Sequence, residues 1–231
     1  MSEKIYIVGD SFSAMTNFPE ISTYSEFINQ DNLHSAGKTV YACQGIDEDK
    51  LLKLKEYNLN IVEKITKRVG TEIVHKHKKA NVLITEPVKH SDTTYEAFLI
   101  INENCAEMSD HVTGKHLQGL LLIEAARQMF MAVTELYDLS EEQRGNYSYV
   151  LSNLDISFSA FLFPFDVSIK LEVLDKNWNK TAINKSVVIK FQQSGITGCK
   201  IKASGMGIPT KVLKYMEEVK ADDMHKTNAY A

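Results

Sequence analysis

Cysteine is scarce in this sequence: Cys43, Cys105 and Cys199 stand far apart in 231 residues. They form no Cys-x-x-Cys pair and no metal-ligand spacing, so neither a metal site nor a cysteine redox motif is expected. Long apolar runs are missing too. None approaches the roughly 20 residues that cross a bilayer. The opening Met-Ser-Glu-Lys, followed by the short run Ile5–Val8, lacks the apolar core of a secretory signal. Nor is there an excess of positive charge. A formal net charge of −4 gives no support to nucleic acid as the main partner and no strong attraction to anionic membranes. Internal repeats and low-complexity stretches are absent. These absences leave a cytoplasmic protein with reduced thiols, and no cofactor is expected.

What is present is ordinary globular material. Hydrophobic residues at 44% and charged residues at 24% argue against disorder, and the length suits one domain with an appendage. Residues 1–70 read as a small α/β unit. Ile5–Val8 is a strand ending in the turn Gly9-Asp10-Ser11, Tyr24–Gln30 a short helix, Lys38–Cys43 a second strand and Asp47–Tyr57 a charged helix. Such a unit is too small to hold a large core and is expected to dock on the rest.

From residue 80 the signal turns to β. Asn81–Glu86 reads as a strand stopped by Pro87, and Tyr95, Ala97, Leu99 and Ile101 alternate in the next. One long helical segment follows, from about Leu117 to Tyr137. Then come Tyr149–Phe161, a clean alternation at Val167, Ile169, Leu171 and Val173, a turn at Asn177–Lys180, and a strand marked by Ile183, Val187, Ile189 and Phe191. Ser194–Gly198 turns the chain into Lys200–Met206. Short turns between three long strands imply an antiparallel sheet. A single long helix among such strands must bury its apolar face on them. The fold class is therefore α+β: a hotdog fold, a long central helix wrapped by an antiparallel sheet, over residues 71–217, with a short helix near its end and a polar tail at 218–231.

The chemistry-bearing stretch runs from Asp110 to Gln128. A polar loop with His111, Gly114, Lys115 and His116 leads into the helix, whose apolar course is broken by Glu124, Arg127 and Gln128. At 100° per residue these three share a stripe with Glu135, Leu117, Leu120 and Met131, while the opposite side is apolar. An amphipathic helix with a narrow wet face, carrying an ordinary Glu124–Arg127 pair, satisfies that pattern. Two features favour a site instead. The stripe mixes its charges with large apolar residues, and the loop brings Asp110, His111, Lys115 and His116 to its start. A helix N-terminus at Gly119 also offers free N–H groups, suited to a thioester carbonyl or a phosphate.

Asp110-His111, the glycines Gly114 and Gly119, and the block Glu124-Ala125-Ala126-Arg127-Gln128 resemble the signature of the A-factor (γ-butyrolactone autoregulator) biosynthesis hotdog family. Val74-His75-Lys76 and Asn81–Thr85 resemble the start of that domain. More distantly, Gly119 to Glu124 is similar to the loop and central helix of β-hydroxyacyl-carrier-protein dehydratases. The resemblance implies transfer of a β-ketoacyl group from an acyl-CoA or acyl-carrier-protein thioester to a small hydroxyl acceptor such as dihydroxyacetone phosphate. It implies Glu124 as general base with a pKa raised by burial, Arg127 on the phosphate or oxyanion, and His111 orienting the thioester or moving a proton. Asp110, Lys115, His116, Gly119 and Gln128 complete the expected substrate-binding set. The family's characterised type carries two tandem hotdog repeats, whereas this chain has one, so a homodimer is expected. Two alternatives stay open: a dehydratase or thioesterase on the same fold, and a non-catalytic acyl-binding or partner-docking protein.

Other signals are weaker. Gly9-Asp10-Ser11-Phe12-Ser13, with Asp222 and His225 near the end, is similar to the start and finish of Gly-Asp-Ser-Leu esterases, but the chain between has the wrong architecture. His75–Lys79 could bind metal or phosphate, but a basic run beside a strand reads as a solvated linker, and no acidic or cysteine ligands accompany it to support zinc. Trp178 reads as a lid over the sheet edge, and Phe158, Phe161, Phe163 and Phe165 fill the core or line an acyl tunnel.

Overall fold

Strands Lys4–Val8 (β1), Ile21–Thr23 (β2), Thr39–Ala42 (β3) and Asn60–Val62 (β4) form a parallel sheet in the order β2-β1-β3-β4. They belong to a computed structural model that describes residues 4–29, 38–57, 59–62, 67–110, 114–179 and 182–228. Helix α1 (Tyr24–Ile28) starts in a capping box between Thr23 and Glu26, and α2 (Glu48–Glu56) is capped by Asp47. The unit buries only a small core of Ile7, Tyr24, Phe27, Val40 and Leu54. β2, too short to show an alternation, was not expected from the sequence.

The unit docks as its size requires. Val8, Phe12 and Met15 join the main core of the chain. The buried Gln44 side chain donates to Leu99 O at 2.9 Å and accepts from Ile101 N at 2.7 Å, standing in for a strand partner. Ser11 N donates to Glu103 at 2.5 Å, and Lys50 pairs with the same carboxylate. The turn Gly9-Asp10-Ser11 is thus part of this junction, with Asp10 held by Ser25 N and Oγ at 2.8 and 2.9 Å.

The second part contains strands Val88–Lys89 (β5) and Thr94–Phe98 (β6), helices Ala106–Ser109 (α3) and Gly119–Val133 (α4), and strands Tyr147–Phe158 (β7), Ser168–Trp178 (β8), Ile183–Gln193 (β9) and Ile196–Pro209 (β10). The sheet runs β5-β6-β8-β9-β10-β7, and every pairing is antiparallel. Helix α4 buries Leu121, Leu122, Ala125, Ala126 and Met129 against Ile169, Val187, Ile189, Ile201 and their neighbours. This is the expected hotdog arrangement, with the small α/β unit beside it.

Several boundaries differ from the sequence reading. Asn81–Glu86 is not a full strand: it opens in a 3₁₀ turn and makes isolated bridges, Ile84 to Leu99 and Thr85 to Arg68. Its apolar residues are buried, but Gln128 and Arg68 side chains take up backbone groups that a neighbouring strand would otherwise take. The β9–β10 turn is shorter than expected. Ser194 and Gly195 both adopt positive φ (50° and 81°), the twist that suits a two-residue hairpin. At the far end of α4 the helix widens into a π-turn, Thr134–Asp138. Beyond the sheet, Thr210–Asn228 (α5) is one continuous helix running past residue 218, where composition predicts a loose end.

Candidate functional site

Glu124 sits one and a half turns into α4 with most of its carboxylate covered. Its Oε1 accepts from Arg127 Nη2 at 2.7 Å and Gln128 Nε2 at 3.0 Å, and lies 2.8 Å from Lys76 Nζ. Its Oε2 accepts from Arg127 Nε at 2.8 Å, completing a two-pronged fork. Burial pushes the Glu124 pKa up, but the hydrogen bonds from Arg127, Lys76 and Gln128 outweigh it and hold the carboxyl at about 2. This corrects the expectation of a carboxyl raised by burial. Three donors against one desolvation penalty leave Glu124 ionised. Arg127, whose pKa the Glu124 hydrogen bond raises, still exposes 43% of its side chain.

The expected wet stripe holds only in part. Leu120 and Arg127 face solvent, whereas Gln128, Met131 and Glu135 are buried. Gln128, expected to bind substrate, has both amide hydrogens spent on Asn81 O (2.8 Å) and Glu124, and its oxygen accepts from Leu83 N at 2.8 Å. Its role in this structure is to pin the Asn81–Leu83 segment to the helix.

Lys76 was expected in a solvated linker, and the structure places it in the cluster instead, 18% exposed and bridging Glu124 and, at 3.8 Å, Glu107. Glu107 Oε2 is buried and has no hydrogen-bond partner among the described residues. The neighbouring His75 turns the other way. At φ 52°, a conformation costly for a residue with a Cβ, it sets Nε2 3.4 Å from Glu135. Glu135 is fully buried and also accepts from Tyr149 Oη at 2.7 Å and Gly145 N at 2.8 Å. Burial raises its pKa, and the bonds from His75, Tyr149 and Gly145 more than reverse that. For Tyr149, burial and then the bond to Glu135 push the phenol up. One turn of chain therefore supplies a cation or imidazole to each of two helix carboxylates.

Between these clusters lies a cavity of about 130 Å³, walled by Ile123, Phe130, Tyr149, Leu151, Leu154 and Ala203 and edged by Glu124 and Arg127. It lies between α4 and the strands β7 and β10. An apolar slot with a few convergent charged groups is the ordinary form of a small-molecule site. A second cavity of about 590 Å³ opens at the N-terminus of α4, lined by His116, Leu117, Gly119, Leu122, Phe158 and Phe161. Here Gln118 takes the N-cap position without a side-chain capping bond, its amide donating to Glu107 O instead, and the His116 ring rests 4.7 Å from that of Phe161. Gly119 faces Phe158 so closely that a Cβ would meet its ring at 2.9 Å.

The expected site residues thus divide. Glu124, Arg127 and Gln128 meet in one cluster, and His116 and Gly119 share the second cavity. Lys115 lies over the Phe18 ring at 5.2 Å, against the N-terminal unit, and Asp110 is exposed at the end of α3. His111 falls outside the described residues. Lys76, Glu107 and Tyr149 escaped sequence reading. Nothing in the sequence spacing ties Lys76 to Glu124, which already has a helical partner in Arg127.

Burial pushes the Cys105 and Cys199 thiols up to about 11, so neither is a ready nucleophile near neutral pH. Asp222 and His225 lie on exposed turns of α5. Among the described residues, no His, Cys, Asp and Glu cluster is placed to hold a metal, and no helix is long and apolar enough to cross a membrane.

Residues 58–190, more than half of the chain, match the A-factor biosynthesis hotdog domain. Solved structures similar to the chain include a dehydratase heterocomplex from Xenorhabdus doucetiae (12% identity, 61% of this chain and 91% of that one, TM-score 0.49). A mutant thioesterase from Pseudomonas aeruginosa is similar at 14% identity, over 58% and 87% of the two chains, with a TM-score of 0.43. A hypothetical thioesterase protein with coenzyme A from Streptococcus pneumoniae is similar at 16% identity, over 54% and 85%, with a TM-score of 0.35. A comparison with curated proteins finds none that matches.

Proposed function

We propose an acyl-thioester function for this chain, which belongs to the A-factor biosynthesis hotdog family: transfer of an acyl group, in the β-ketoacyl class, from a thioester to a small phosphorylated hydroxyl acceptor such as dihydroxyacetone phosphate. The observation that carries this reading is the Lys76–Glu124–Arg127 cluster at the rim of an apolar cavity. The cavity takes the acyl chain, and the two cations take an anion.

The same cluster explains how an ionised, locked carboxylate becomes a base. A phosphate that draws Lys76 and Arg127 to itself removes most of the hydrogen bonds that hold Glu124 acidic. Burial then dominates and raises its affinity for a proton. Glu124 takes the proton of the acceptor hydroxyl as its oxygen attacks the thioester carbonyl. The carbon–sulfur bond breaks, the departing thiolate takes that proton, and the products are an ester and a free thiol.

A second copy completes the site in this reading. β7 has β10 on one side and, among the described strands, nothing on the other. A 12-residue edge exposing Val150, Leu151, Leu154 and Phe158 is a template for pairing. The homodimer forms there, antiparallel, closing the cavity that Leu151 and Leu154 leave open.

The saturated Glu124 fork supports one other reading, a non-catalytic acyl-binding protein in which the cluster only braces the helix. The experiment is mass spectrometry of products from β-ketoacyl, β-hydroxyacyl and saturated acyl thioesters, with and without dihydroxyacetone phosphate. A new ester requiring both the β-ketoacyl donor and the acceptor, and lost in a folded Glu124→Gln variant, supports the synthase. Hydrolysis or dehydration without acceptor moves the function to a thioesterase or dehydratase. Binding without product selects the acyl-binding reading.

A further inference from the structure

Helix α5 carries an apolar stripe that, among the described residues, its own protomer does not cover. It has 19 residues and is about 28 Å long. Val212 and Leu213 at its root are half-buried, while Tyr215, Met216 and Val219 are exposed. Val212, Tyr215, Met216 and Val219 recur at helical spacing and form one apolar stripe. The root itself is firmly placed. Thr210 N donates to Asn146 O at 2.8 Å, its hydroxyl lies 3.0 Å from Ser148 Oγ, and Pro209 on β10 stands opposite Tyr147 on β7.

β7 carries a second, independent pattern. Its pairing with β10 skips Ser152, so Leu151 and Leu154 both face the cavity although three residues apart. The alternating residues on that face are then Tyr147, Tyr149, Leu151, Leu154, Ile156 and Phe158, with Val150 reaching the cavity edge between them. This series is symmetric about its middle. A second copy laid antiparallel along the open edge places Leu151 opposite Leu154, Tyr149 opposite Ile156 and Tyr147 opposite Phe158, apolar on apolar throughout. In that register the root of α5 is two strand spacings, about 10 Å, from Phe158 of the second copy.

That end of the second copy is the cavity at the N-terminus of α4, lined by Phe161 (70% exposed) and Phe158 (58%), with Leu120 (71%) exposed on the first turn of the helix beside it. We infer that α5 of one copy lies across this cavity of the other, with Tyr215, Met216 and Val219 packed on Phe158 and Phe161. The inference rests on the homodimer proposed above. Its consequence is chemical: this opening, on the same helix as the Glu124 slot, is closed to water by a segment from the other chain, favouring transfer of the bound acyl group over hydrolysis.

The test uses the full chain with Val219→Cys carrying a photo-activated benzophenone, in dimers assembled from isotopically light and heavy copies. The unsubstituted chain, with its half-buried Cys43, serves as the labelling control. Light-to-heavy cross-links to residues 116–122 or 158–162 are expected. Cross-links within one copy, or to other surfaces, in a chain that light scattering shows to be dimeric would overturn the α5 contact while the dimer stands. A monomer would overturn both.

Discussion

Lys76 Nζ lies 2.8 Å from Oε1 of Glu124, the same oxygen that Arg127 Nη2 reaches at 2.7 Å. Two cations on one carboxylate oxygen, at the rim of an apolar slot, make the cluster both a brace for the fold and a place for an anion. The brace is testable without knowing the substrate.

Lys76→Met removes one of the three donors that hold Glu124. The fold should lose about 1–2 kcal/mol, the worth of a charge-assisted hydrogen bond with little exposure, read from the denaturation midpoint. The Glu124 carboxyl, followed by NMR, should titrate above its value of about 2. An unchanged titration would show that Lys76 does not act on it.

Glu124 also predicts an acid-limb dependence. Its folded pKa of about 2 lies below its ordinary 4.5. The ionised group therefore stabilises the fold at neutral pH, and this contribution drains away as pH falls from about 4.5 through about 2. The stability gap between the natural chain and Glu124→Gln should be roughly 3 kcal/mol at pH 7 and narrow over that window. A gap that stays constant down to pH 2.5 would contradict the geometry.

Gly45 sits at the junction between the two parts, where its N donates to Ile101 O at 3.2 Å. At φ 86° it approaches Gly9 so closely that a Cβ would lie 2.7 Å from the Gly9 Cα. Backbone cannot move aside as a side chain can. Gly45→Ala should cost at least about 2 kcal/mol, and limited proteolysis should then release the segment before residue 70 first.

The β7 edge predicts an oligomeric change with no change in fold. Leu154 walls the slot, is 36% exposed and is not part of the main core cluster, so Leu154→Asp charges the slot but leaves that core in place. Light scattering should show the natural chain as a dimer and this variant as a monomer, with circular dichroism unaltered. A dimeric variant would place the contact elsewhere.

The hotdog fold was legible because its signals are local. The alternation through Val167–Val173 and the long apolar helix repeat at the periods of strand and helix, and those periods survive without knowing any neighbour. Short pieces were harder. β2 has three residues, and Asn81–Glu86 looks like a strand because it is buried like one, though Gln128 and Arg68 side chains satisfy much of its backbone. The candidate site was half legible. Glu124, Arg127 and Gln128 share a face by helix geometry alone. That Gln128 is spent on backbone, and that Glu124 is acidic and not raised, depends on residues from elsewhere.

The sequence by itself determined the class of fold, the central helix and the stripe on it that bears charge, since each is a periodic property of adjacent residues. Only the tertiary structure decided which charges meet. Lys76 reaches Glu124 and His75 reaches Glu135 from a basic run whose composition suggests solvent. No spacing rule links a loop residue to a helix carboxylate; the pairing follows from where the loop is seated, with Val74 buried in the main core beside it. Because a carboxyl's acidity is a balance of burial against its donors, the chemistry of Glu124 was settled by that meeting and not by its own position in the chain.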